Sequence, residues 1–140
     1  MPARLYLAVG AGSAFGALAR YLLSLGMLSL LGPAFPWGTL AANTAGSFVM
    51  GLYVAVSEPG CRFAAAQATR VFVVAGFCGG FTTFSIFSLE TLALARAGTP
   101  GLAGLYVGVS LGLWMLAVWL GHCLGARIDA SARRHSAAPD

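Results

Sequence analysis

Gly76-Phe-Cys-Gly-Gly-Phe-Thr-Thr-Phe-Ser-Ile-Phe-Ser88 runs through the middle of an apolar stretch that extends from about Val71 to Ala95. Gly79-Gly80 weakens a helix at that point. Thr82, Thr83, Ser85 and Ser88 carry hydroxyls that can satisfy the backbone groups a break sets free. The stretch therefore reads as a membrane span broken near its middle. Irregular backbone at that depth is tolerated only inside protein or beside a water-filled cavity. Unwound carbonyls can coordinate a cation, and the N-terminus of the following half-helix can face an anion. The other reading is a glycine kink that holds no ligand.

The rest of the 140-residue chain agrees with a membrane setting. Hydrophobic residues make up 59% and charged residues only 9%, and the mean hydropathy is +0.83. Soluble domains carry roughly 25% charged residues, so a soluble enzyme, a disordered tail and a nucleic-acid module are excluded. The net charge of +4 comes from eight arginines, without lysine, against four acids. The arginines are scattered and form no patch that would track phosphates. Cys61, Cys78 and Cys123 form no CxxC pair, and His122 and His135 are too few for a histidine-rich metal site.

A crossing helix needs about 20 apolar residues. The charge gaps predict four spans, at about 5–31, 37–57, 71–95 and 102–126. Gly32-Pro33, Glu58-Pro59-Gly60 and Arg96-Ala-Gly-Thr-Pro-Gly101 separate them. Residues 1–126 thus form one all-α, four-helix transmembrane domain, and 127–140 a polar tail expected to fray. Both termini and the loop between spans 2 and 3 share one side, with Arg4, Arg62, Arg70, Arg127, Arg133 and Arg134. The other side has Arg96, and Arg20 if it snorkels. The positive-inside rule places the richer side in the cytoplasm.

Glycines recur at spacings of four: Gly12 and Gly16; Gly76 and Gly80; Gly104, Gly108 and Gly112; Gly121 and Gly125. Such stripes let another backbone approach closely. Four short spans enclose little volume, so a homo-oligomer is expected, most simply a dimer.

Polar residues inside spans need a partner or a task. Asn43 either glues two helices together or aims a donor into a polar pathway. Arg20 can snorkel, pair with Glu90 or with carbonyls, or raise the local potential for anions. Phe84 and Phe87 share a helical face; they either simply pack or turn their positive ring edges toward an anion.

These residues resemble the small bacterial fluoride channels, the Fluc or CrcB family. The matching motifs, in order, are Gly12-Ser-Ala-Phe-Gly-Ala-Leu-Ala-Arg20-Tyr21; Trp37-Gly-Thr-Leu-Ala-Ala-Asn43 with Gly46 and Gly51; Gly76 to Ser88 with Glu90; and Tyr106 with Ser110. They cover about residues 4–126. The resemblance implies an antiparallel, dual-topology dimer in the bacterial inner membrane, with two fluoride pores along the subunit interface. It implies that Asn43 donates to fluoride from a polar vestibule. Phe84 and Phe87, from different subunits, would offer ring edges, with Thr83 and Ser85 on the pore side. Tyr106 and Ser110 would continue a polar track, and Glu90 would lie near its far end. The carbonyls of Gly79 and Thr82 from both subunits would hold a structural sodium ion at the dimer axis. Two departures stand out. Ile86 replaces a usual threonine, which removes a hydroxyl beside the phenylalanines. Trp114 stands one turn beyond Ser110, where some members have a small polar residue, and would narrow the track.

The function this implies is passive export of fluoride from the cytoplasm, with no enzymatic step. The arginine bias leaves room for an oppositely oriented partner chain in place of a second copy. Two other readings compete. A proton-coupled drug exporter would want an acid deep in span 1, where this chain has Arg20. A non-conducting assembly subunit would use only the glycine stripes and Asn43.

Overall fold

The computed structural model describes residues 3–137 apart from 59 and 62; Arg62, counted above, lies outside the described residues. Within them every regular element is helical. α1 spans Ala3–Leu31 and α2 spans Trp37–Ser57. The third span is built in pieces. They are α3 (Gln67–Val71), a π-helical stretch π1 (Phe72–Cys78), one turn α4 (Gly79–Phe81), and α5 (Phe84–Arg96). α6 spans Pro100–Ala137. Among the described residues, four helical runs, with Gln67–Arg96 counted as one, are long and apolar enough to cross a membrane.

The ends follow local rules. Gly32 stops α1 with φ +75°, a conformation open to glycine, and Pro33 prevents resumption. Gly98, at φ +83°, follows α5 in the same way.

The third span breaks as expected, but not at its glycine pair. Gly79 and Gly80 are helical, and the extended residues are Thr82 (φ −87°, ψ 159°) and Thr83 (φ −153°, ψ 126°). The reason is that Gly80 serves a different purpose. A Cβ there would stand 2.8 Å from Ser13 Cα of α1. Across the same seam, a Cβ on Gly12 would stand 2.9 Å from Gly76 Cα, and one on Gly16 2.7 Å from Phe81 N. Backbone meets backbone along this line, as small residues permit. The threonines end the first half and start the second. The Thr82 N–H and hydroxyl both donate to the Cys78 carbonyl, each at 2.9 Å. Thr83 caps α5, its hydroxyl accepting from Ile86 N.

A second glycine seam joins α2 to α6, where Gly51, Gly121 and Gly125 each face the opposing helix. Gly104, Gly108 and Gly112 differ: a Cβ on any of them would meet nothing within 4 Å. Inside the bundle, Leu40, Phe87 and Tyr106 form the buried cluster, with Phe35, Leu94, Val107 and Trp114 against it. Large apolar side chains such as Leu7, Phe15, Leu30 and Trp119 point outward, as suits a chain whose solvent is lipid.

The polar tail does not fray at Arg127. α6 continues as helix to Ala137, and residues 138–140 lie outside the described part. Arg133 Nε donates to Asp129 Oδ2 at 2.7 Å, an i,i+4 pair that supports the extension. At about 1.5 Å per residue, such a helix overshoots a hydrocarbon core about 30 Å thick.

Candidate functional site

Helical structure would send the Thr83 N–H to the carbonyl of Gly79. At the break it turns away and donates to Asn43 Oδ1 of α2 at 2.7 Å. Asn43 Nδ2 in return donates to the Thr83 carbonyl at 2.8 Å. Asn43 is 4% exposed, so both bonds lie in a dry setting. The interhelical role is therefore present, and the second Nδ2 hydrogen remains for another acceptor. Asn43, Ser47, Met50, Thr82, Thr83, Phe84 and Trp114 line a cleft of about 190 Å³ beside it.

The redirected donors leave their usual acceptors behind. The Gly79 carbonyl loses Thr83 N to Asn43, and the Thr82 carbonyl loses Ile86 N to the Thr83 hydroxyl. These are the two carbonyls that the resemblance assigns to sodium. Among the described residues no group of three His, Cys, Asp or Glu could hold a metal. A hard cation here would rely on such backbone oxygens. The donor set fits in kind, but two carbonyls from one chain make only part of a cation's shell. Arg20 resolves one open choice. Its Nε donates to the Gly80 carbonyl at 3.3 Å, which ties α1 to the same break.

The two phenylalanines part company. Phe87 is 5% exposed and Phe84 is 69% exposed, with ring centroids 5.6 Å apart and planes tilted at 49°. Phe87 also touches Tyr106 at 5.0 Å and lies edge-to-face with Trp114 at 4.9 Å. Phe84 reaches the rim of the Asn43 cleft. The exposed Ser85 hydroxyl lies 3.3 Å from that of Thr83.

A second polar centre lies farther along α5. Glu90 accepts from the Thr39 hydroxyl through Oε1 and from the Tyr106 hydroxyl through Oε2, both at 2.8 Å. Three helices thus meet on one carboxylate. Thr39 and Glu90 line a larger cleft of about 440 Å³ with Ser24, Phe35, Trp37 and Leu94. Phe87 links the two regions, since it touches Trp114 of the first and Tyr106, which holds Glu90 of the second.

Of the residues that the resemblance assigns to the pathway, Asn43, Thr83 and Phe84 meet at one cleft, and Phe87 lies against Phe84. The structure also joins Tyr106 to Glu90 directly. Ser110 is fully buried one turn from Tyr106 on α6, and its Oγ has no partner among the described residues. Thr39 was missed. Its signal was available: it precedes Asn43 by four residues, so both lie on one α2 face. The described residues thus set hydrogen-bonding side chains and aromatic rings around two clefts.

Known proteins carry the same sequence pattern. The model of the family described as CrcB-like protein, Camphor Resistance (CrcB), matches residues 7–122. A protein of Rhodopseudomonas palustris named fluoride-specific ion channel FluC 1 is 50% identical over 127 residues, 91% of this chain and 90% of that one. A fluoride-specific ion channel FluC 1 of Bradyrhizobium diazoefficiens is 44% identical, covering 94% and 91%. A fluoride-specific ion channel FluC of Opitutus terrae is 47% identical, covering 90% and 96%. The match extends across all four spans and both polar centres, and the chain belongs to the CrcB family.

Proposed function

We propose that this multi-pass membrane protein is a fluoride-selective channel. It lets fluoride leave the cytoplasm passively across the bacterial inner membrane, through two pores at the interface of a dual-topology dimer. The observation that carries this reading is the broken third span. Asn43 holds it open beside the Phe84 and Phe87 rings, in a chain whose relatives bear that channel name.

Fluoride is small and strongly hydrated, and burying a bare ion costs tens of kcal/mol in a Born estimate. The pathway must replace lost water with donors and positive ring edges. It must also release the ion by binding weakly at several places. Asn43 offers its remaining Nδ2 hydrogen. Thr83 and Ser85 offer hydroxyls at the mouth of α5, whose N-terminus adds positive potential. Phe84, 69% exposed, is available to a neighbouring subunit, so the rings of one pore come from both chains. Tyr106 and Ser110 extend the track toward Glu90. Ile86 leaves the ring region without the usual hydroxyl, so Thr83 and Ser85 carry that task.

A second copy is supported by the open faces of Gly104, Gly108 and Gly112 and by the incomplete carbonyl set. The Gly79 and Thr82 carbonyls of both subunits would hold one sodium ion, which would pin the two breaks together. The ion is structural in this reading and is not transported.

The test is efflux of fluoride from liposomes holding the purified protein, followed with a fluoride electrode beside chloride-loaded vesicles. Fast fluoride loss with chloride retained is expected; absence of fluoride loss from a verified dimer would overturn the reading. A reporter at the C-terminus should show both orientations. A single orientation would replace the homodimer with a pair of oppositely oriented chains.

A further inference from the structure

The polar track carries one more donor than its hydroxyls account for. Trp114 lies on α6 at i+4 from Ser110 and i+8 from Tyr106, so the three share a face. The Tyr106 hydroxyl is engaged with Glu90. The two that follow are not: Ser110 Oγ and Trp114 Nε1 are both buried without a hydrogen-bond partner among the described residues. Buried polar groups are nearly always paired, so such an orphan calls for a water or an ion. The indole N–H is a donor only. It cannot serve a cation, and it suits an anion or another acceptor. Trp114 also lines the cleft that holds Asn43 and Thr83. Its ring is braced edge-to-face on Phe87 at 4.9 Å, which restricts how it can turn.

We propose that Trp114 is a specificity residue of the pathway: its indole N–H donates to the passing anion and carries it between the Asn43 cleft and Ser110. The bulk expected to narrow the track thus supplies a donor. This rests on the fluoride-channel reading for the identity of the anion.

Two measurements test it. The first replaces Trp114 with benzothienylalanine, which keeps the indole shape and puts sulfur in place of the N–H, beside W114F. At sub-saturating fluoride both should lower liposome efflux about ten-fold, the effect of losing one hydrogen bond to a charged group. Undiminished efflux with the isosteric side chain overturns the proposal. The second follows the indole proton and nitrogen resonances of the wild-type protein, with Trp114 assigned by its loss in W114F. Fluoride should move that resonance saturably and chloride should not. A resonance that ignores fluoride overturns the Trp114 assignment, whatever the flux. Absence of wild-type flux with a resonance that does respond would count against conduction while leaving the binding role of Trp114 standing.

Discussion

Asn43 and Thr83 exchange two hydrogen bonds, at 2.8 and 2.7 Å, across 40 residues of chain. One side chain thereby satisfies both peptide groups of a residue that has left the helix. Asn43→Ala strands both. Each buried orphan costs about 1–3 kcal/mol, so a loss of roughly 2–6 kcal/mol is expected. Asn43→Asp keeps the acceptor and should fall between the two. Denaturation of the purified protein in detergent reads the order; equal stability of Asn43→Ala and wild type would contradict the clamp.

Glu90 couples Thr39 and Tyr106 through its two oxygens. Tyr106→Phe removes the donor to Oε2 and should cost about 1–3 kcal/mol. Thr39→Val should cost a similar or smaller amount. Because both act on one carboxylate, the double variant should depart from additivity by at least about 0.5 kcal/mol. A double-mutant cycle by the same denaturation assay measures it, and strict additivity would mean that the two contacts are independent.

Phe84 and Phe87 should separate function from folding. Phe84 is largely exposed, so Phe84→Ile should change stability by no more than about 0.5 kcal/mol. It should nevertheless slow fluoride efflux. Phe87 is packed among Tyr106 and Trp114, and Phe87→Ile should cost about 1–3 kcal/mol as well as flux. A folded Phe84→Ile dimer with undiminished efflux would remove the ring edge from the pathway.

The glycines sort into two classes. Gly80→Ala drives a methyl into the Ser13 backbone and should cost about 1–3 kcal/mol, as overpacking does. Gly108→Ala meets open space within the chain, and helix propensity favours it by up to about 1 kcal/mol. If a second copy lies on that stripe, the same change should weaken the dimer. Cross-linking in liposomes distinguishes these outcomes: an unaffected dimer would place the interface elsewhere.

Much of this was legible from residue order, and the exceptions have physical causes. Span 2 was bounded by Pro36 and Glu58-Pro59, and α2 runs from Trp37 to Ser57. The break was foreseen in the third span but assigned to Gly79-Gly80. Glycine signals both a weak helix and a close approach, and only the partner helix decides between them. The π-helical turns of π1 left no mark that composition could reveal. The choice open to Arg20 needed the distance to Gly80. The extension of α6 past Arg127 rests in part on the Asp129–Arg133 pair, an i,i+4 spacing that was visible but outweighed by the polarity of the tail.

The repair of the third span by Asn43 bears on how the protein is made. Span 3 entering lipid by itself would carry the unpaired peptide groups of Thr83, which hydrocarbon penalises. Its partner is already synthesised, since span 2 precedes it. Span 2 must therefore still be close by when span 3 leaves the insertion machinery, and the two should pass into the bilayer as a docked hairpin. A ribosome-stalled intermediate long enough for α5 to have cleared the exit tunnel should then already have Asn43 within cross-linking distance of Thr83.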